Sequence, residues 1–173
     1  TLITRQGYNY ETPDQSSSHA SAPVRHITQS YSPWLARNIF EFHIHAKIDD
    51  DRGKTDIKDR QRNEIKTDGK SPASMVAQEG ETLEMRWKFC LPKGMITTDK
   101  FCHIHQLKGI DNSAGTADVS MPMITFTARS VSGGQQFQVI FVPPTEEGGG
   151  NQYLANKTCK IFRWTFHFFY DPI

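Results

Sequence analysis

The chain has almost no charge imbalance: 20 basic residues stand against 19 acidic ones, a formal net charge of +1. No global field therefore selects nucleic acid or an anionic membrane, and electrostatic specificity has to come from local clusters. Long apolar runs are missing as well. None approaches the roughly 20 residues that a membrane-spanning helix needs. Three cysteines, Cys90, Cys102 and Cys159, are too few for a disulfide framework. Cys90 and Cys102 flank "LPKGMITTDKF"; they either pair across a hairpin or act as small buried hydrophobes. No initiator Met or signal peptide leads the sequence, which reads from Thr1 as a mature or trimmed product.

Several catalytic signatures are absent too. The "SGG" and "EGGG" stretches lack the Lys-Ser/Thr and the helix that a phosphate-cradling loop requires. There is no Gly-x-Ser-x-Gly elbow. Cys102 and His103 are sequence neighbours, so on one strand they point to opposite faces and form no dyad. There is no internal repeat.

What is present is strand pattern. Short apolar-alternating runs recur: "RHITQSY", "NIFEFHIHAKI", "RQRNEIKT", "TLEMRWKFCL", "FCHIHQLKGI", "MPMITFTARSV", "QQFQVIFVP" and "CKIFRWTFHFFY". They are rich in Phe, Ile, Val, Thr and Trp and are bounded by Gly, Pro, Asp and Asn. Only "SPASMVAQEG" has a helical start, with Ser71 as cap and Pro72 at the first helical position. The expectation is an all-β protein with little helix, an antiparallel sandwich or barrel. Residues 1–22 read as an irregular arm and residues 23–173 as one β-sandwich domain. The last strand-like stretch ends near the C-terminus, so it either docks in a sheet centre or belongs to a domain truncated there.

Three of these strands carry polar stripes. Period-two alternation puts Arg60, Arg62, Glu64 and Lys66 on one face of "DRQRNEIK". It groups His43 and His45 with Glu41 and Lys47, and His103 and His105 with Phe101 and Leu107. Gln106 and Lys108 fall on the reverse. On one concave sheet these stripes would form a groove of imidazole and guanidinium groups; the plainer reading of each is a solvated strand face. The HxH spacing also suits zinc or copper, but no third ligand follows at diagnostic spacing. Asp49, Asp51 and Asp56 surround Gly53 in an oxygen-rich loop that suits calcium, though the EF-hand pattern is absent. "NKT" makes Asn156 an N-glycosylation acceptor and, with the missing Met, points toward a secreted, extracellular protein. Aromatic and basic residues interleave in "FRWTFHFFY" and suit stacking on bases or sugars; core packing explains them more simply.

The order of motifs resembles the jelly-roll polysaccharide lyases, the alginate, glucuronan and heparin lyase type. Alginate lyases of that fold carry Arg, Ser or Thr, Glu, Leu or Val, Arg, and later Gln, Ile or Val, His. The counterparts here are Arg62-Asn63-Glu64-Ile65-Lys66 and His103-Ile104-His105, and the resemblance covers roughly residues 24–142. It implies an antiparallel β-jelly roll, a concanavalin-like two-sheet sandwich. It gives Arg62 the role of neutralising a uronate carboxylate, braced by Glu64, and His105 that of the catalytic imidazole. His103 stands where the family has a carboxyl-binding Gln. Arg60, Lys66, His43, His45, Gln106 and Lys108 would line the substrate groove. The family's C-terminal Tyr-Phe-Lys-x-Gly-x-Tyr pattern has no counterpart, and nothing around Tyr170 matches it.

The implied chemistry is β-elimination. A guanidinium on the uronate carboxylate stabilises the developing enediolate, and an imidazole or phenolate removes the neighbouring proton. No cofactor is required, although Ca2+ would fit the acidic loop. Glycosidases instead need two carboxylates about 5–9.5 Å apart, and this stripe offers Glu64, with Glu41 as the further candidate. The expected partner is an acidic polysaccharide rather than nucleic acid or a membrane. The alternative is a non-catalytic carbohydrate-binding module, or a structural module that self-associates through its apolar strand edges.

Overall fold

Where apolar and polar residues alternate, strands form, and almost no helix interrupts them. The computed structural model describes residues 6–15, 25–44, 56, 60–78, 81–110, 119–132, 134–142 and 152–158, the last of these as backbone alone. Among the described residues helix is limited to two single 3-10 turns, Pro13–Gln15 and Ala73–Met75. Every sheet is antiparallel, so the chain is all-β. It divides into two compact units between Leu83 and Glu84.

The first unit holds two small sheets. Strand β1 (Asn9–Glu11) lies inside the stretch expected to be an irregular arm and pairs with β4 (Glu64–Lys66). Strands β2 (Ile27–Ser32) and β3 (Arg37–Phe42) form a hairpin whose register runs from Ile27 opposite Phe42 to Ser32 opposite Arg37. Its four-residue loop closes with Leu35 N–H donating to the Ser32 carbonyl at 3.2 Å and Ala36 in the left-handed region at φ 51°.

Ala73–Met75 stops after one turn because Val76 is extended (φ −132°, ψ 116°). Ser71 does not cap it. Its hydroxyl instead donates to the Gly7 carbonyl at 2.6 Å and accepts the Asp68 N–H at 3.0 Å. Gly7 itself adopts φ 84°, and a Cβ there would lie 2.5 Å from Pro72 Cδ.

The second unit is one four-stranded sheet in the order β5 (Cys102–Leu107), β6 (Ile124–Val131), β7 (Gly134–Phe141), β8 (Gln152–Thr158). Its core is Phe126, Phe137 and Val139 on one sheet face. Trp87, Phe89 and Leu91 cover that face from an extended segment, residues 84–91. This segment alternates exposed and half-buried residues with a strand's period, yet it joins no ladder among the described residues. "TLEMRWKFCL" therefore has a strand's burial pattern without its hydrogen bonds. The rings interlock: Trp87 meets Phe126 edge-on at 5.4 Å, and Phe89 stacks on Phe137 at 5.4 Å. Full burial of a ring such as Phe126 contributes about 1.5–3 kcal/mol, and the half-buried Trp87 and Phe89 add less.

Candidate functional site

One irregularity decides the geometry of the "HIH" strand. β5 pairs His103 with Thr127 and His105 with Phe126, so Ile104 is an extra residue against β6 and the ladder is bulged there. Thr127 and Phe126 are neighbours on β6 and face opposite ways. His103 and His105 therefore lie on opposite faces of the sheet, not on the shared face that strict alternation predicts. The contacts agree. His103 Nδ1 is 2.8 Å from Thr127 Oγ1, whereas His105 stacks on Trp87 at 4.1 Å and packs against Phe126 at 5.6 Å. Burial depresses the His105 pKa to about 4 and keeps the ring neutral. It is a core residue.

His103 sits differently. It is exposed, stacks on the exposed Phe101 at 4.7 Å, and has its pKa lowered by burial of its inner side and then by the charge of Arg129. Arg129 lies two residues beyond Thr127 on β6, on the same sheet face as His103. It is half-buried, and its Nε is buried without a hydrogen-bond partner among the described residues. Thr127 passes its hydroxyl hydrogen to Thr125 at 3.1 Å, which leaves its oxygen to accept from His103 Nδ1–H. That bond fixes the imidazole's tautomer and turns Nε2 outward. An aromatic ring, an imidazole and a guanidinium thus share one corner of the sheet. Charge patterning had not singled out Arg129, because it stands alone in "TFTARSV".

The other expected stripe residues belong to other sheets. Among the described residues of "DRQRNEIK" only Glu64–Lys66 is strand, and it pairs with β1; Arg60 and Arg62 precede it in irregular chain, Arg60 exposed and Arg62 half-buried. β4, the β2–β3 hairpin and β5 lie in three different sheets, so the three stripes do not share one. Lys66 Nζ is engaged by Glu11 at 2.5 Å. On the hairpin, His43 Nε2 meets Thr28 Oγ1 at 2.8 Å, and the Glu41 carboxylate accepts from Thr28 at 3.3 Å and Ser30 at 2.8 Å. Since Thr28 gives its hydrogen to Glu41, His43 Nε2 donates. Sequence alternation had grouped Glu41 with His43, and these bonds join them. Asn63 closes the open end of the hairpin, its amide donating to the carbonyls of His26 at 2.8 Å and His43 at 2.9 Å.

No protein-family model matches the chain, and no curated protein or solved structure matches it either. The site therefore rests on its own residues. Gln106 is half-buried opposite Thr125, and Lys108 is exposed beyond the end of β5. His45, Asp49 and Asp51 lie outside the described residues, as do Cys159 and Tyr170; Asp56 is an exposed turn residue. Among the described residues no group of three His, Cys, Asp or Glu side chains could hold a metal ion. Cys90 and Cys102 are both free thiols. Cys102 is half-buried and burial raises its pKa, which leans toward the small-hydrophobe reading, while Cys90 is exposed. Asn156 sits on β8 opposite Gln138.

Proposed function

We propose that this chain is a non-catalytic extracellular module that binds an acidic polysaccharide at the sheet corner formed by Phe101, His103 and Arg129. The observation that carries this reading is the half-buried Arg129 guanidinium, its Nε unpartnered among the described residues, beside an outward-facing imidazole. Partial burial of a guanidinium without a counter-charge is costly, and a carboxylate satisfies it with two parallel hydrogen bonds. The exposed Phe101 ring offers a flat apolar surface to the C–H face of the sugar that bears the carboxylate.

The resemblance to jelly-roll lyases supports the acidic sugar class and a jelly-roll sandwich as the finer fold, and the sequon at Asn156 supports secretion with glycosylation there. A lyase activity finds less support. Elimination needs its base and its carboxylate-binding groups on one substrate, yet His105 is stacked on Trp87 across the sheet from His103. The module requires no cofactor.

Calorimetric titration with glucuronan, alginate and heparin oligosaccharides tests this. Binding should weaken with added salt and fall about tenfold or more in Arg129→Met, with no unsaturated product absorbing near ~235 nm. Silence toward all three sugars from folded protein would overturn the proposal, and so would a growing absorbance from eliminated product.

A further inference from the structure

His103 has one ring nitrogen fixed by the sheet and one turned to solvent. Its Nδ1–H donates to Thr127 Oγ1 at 2.8 Å, and Thr127 has already passed its own hydrogen to Thr125 at 3.1 Å. The neutral ring therefore points the Nε2 lone pair outward. A lone pair accepts from a hydroxyl and repels a carboxylate oxygen. Protonation reverses this at a single atom. Nε2 becomes a charged donor, while Nδ1–H keeps its bond to Thr127 and the ring need not turn. The stack on Phe101, with centroids 4.7 Å apart and planes 18° from parallel, holds the imidazole in either state.

The charges around the ring set the direction of the effect. Thr125, Thr127 and Arg129 of β6 share its face, as does Gln106 on β5. Lys100 and Lys108 are exposed beyond the two ends of β5. Asp99 is exposed too, and its carboxylate accepts from Thr98 Oγ1 at 3.2 Å. Among these groups Arg129 is the charge that reaches the imidazole; burial of the ring's inner side, then that charge, holds the proton off in the free protein. A carboxylate seated on Arg129 cancels the repulsion and puts an anion beside Nε2. We infer that His103 takes up a proton at Nε2 as the corner closes on a carboxylate, so that anion capture tightens in acid; this rests on the reading of the corner as an anion site and adds its regulation. The proton comes from solvent, and no covalent bond of the sugar changes. By linkage, the occupied site holds this proton at pH values where the empty site has lost it. Affinity therefore rises as pH falls from the bound pKa to the free one, which lies below the ordinary 6.5, and levels off beneath it.

The test titrates the full chain calorimetrically with glucuronan and alginate hexasaccharides from about pH 7.5 to about pH 5, above the range in which the sugars' own carboxylates take up protons. Affinity should rise about threefold to tenfold across it. The heat should differ between phosphate and Tris, whose ionisation enthalpies differ, by the amount that proton uptake requires. In proton NMR the His103 ring resonances should titrate at higher pH with sugar than without. His103→Gln keeps a polar side chain at the corner and should bind without the rise, whereas His105→Phe, in the core, should keep it. Arg129→Met should weaken binding at every pH. A flat profile in wild type, an equal rise in His103→Gln, or ring resonances that the sugar leaves unmoved would overturn the proton link and leave the anionic corner standing. Absence of binding to both sugars at every pH would overturn this inference together with the carboxylate reading of the corner.

Discussion

The Trp87 indole lies against the His105 imidazole with ring centroids 4.1 Å apart and planes 30° from parallel. Phe126 closes the other side at 5.6 Å. Packing of this kind removes the imidazole from water without offering it a counter-charge, so the proton is what the folded state rejects.

Acid should therefore weaken the second unit well above the carboxylate range. The unfolded chain takes up the His105 proton near pH ~6.5, while the folded chain resists it until about 4. The folded pKa is depressed, so the stabilisation is complete above the unfolded value and drains away as pH falls through this window. The total is on the order of 3 kcal/mol. His103, also lowered, adds in the same direction. Urea unfolding at several pH values measures it. His105→Phe keeps a ring against Trp87 and removes the titration, so its midpoint should change much less over the same window. Equal pH sensitivity in the two proteins would refute the account.

Why the sequence foretold some of this and not the rest has a physical cause. β2 to β7 each coincide, to within one residue at an end, with runs that alternation picks out, because a pleated strand half-buried on one face imprints its period on composition. One extra residue leaves no such imprint. The bulge at Ile104 preserves the alternating letters of "FCHIHQL" while moving His105 to the other face, and with it the expected pairing of imidazoles. Alternation likewise records burial, not hydrogen bonding: residues 84–91 alternate and remain outside the sheet. Nor does it say which face is inside: Phe40 and Phe42 keep a strand's period on β3, yet both are exposed. β8 was not anticipated at all, since "QYLANKT" is polar and carries no clear period.

Asp14 and His26 make a second testable pair, in the first unit. His26 is 1% exposed, its backbone N–H donates to Asp14 Oδ2 at 3.0 Å, and its Nδ1 faces Oδ1 at 3.0 Å. An ionised carboxylate has no hydrogen to give, so Nδ1 carries it. Burial alone would raise the Asp14 carboxyl, but the two His26 bonds and the charges of His26 and Arg25 outweigh it and hold the pKa low. This stabilisation is present above the ordinary carboxyl value of 3.8 and is lost as pH falls through the lower folded one. That window lies below the His105 window. Asp14→Ala orphans two buried donors and should cost about 2–3 kcal/mol at neutral pH. Amide exchange at His26 is the local readout, and unchanged protection there would contradict the assignment.

Gly7 and Gly94 allow backbone strain to be separated from crowding. Both adopt nearly the same left-handed conformation, φ 84° and φ 85°. A Cβ on Gly94 would meet nothing within 4 Å, whereas on Gly7 it would lie 2.5 Å from Pro72 Cδ and 2.9 Å from Met75 Sδ. Gly94→Ala should therefore cost only the conformational penalty, about 1–2 kcal/mol. Gly7→Ala adds a clash with a rigid proline ring and should lose roughly 1–3 kcal/mol more. Chemical denaturation, followed through amide protection in the unit that holds each glycine, gives both values. Pro72→Ala should recover part of the Gly7→Ala loss and none of the Gly94→Ala loss, because only the first pair is in contact. Matching penalties at the two glycines, or no coupling to Pro72, would mean that the 3-10 turn at Ala73–Met75 yields readily and that the close approach at Gly7 does not hold it in place.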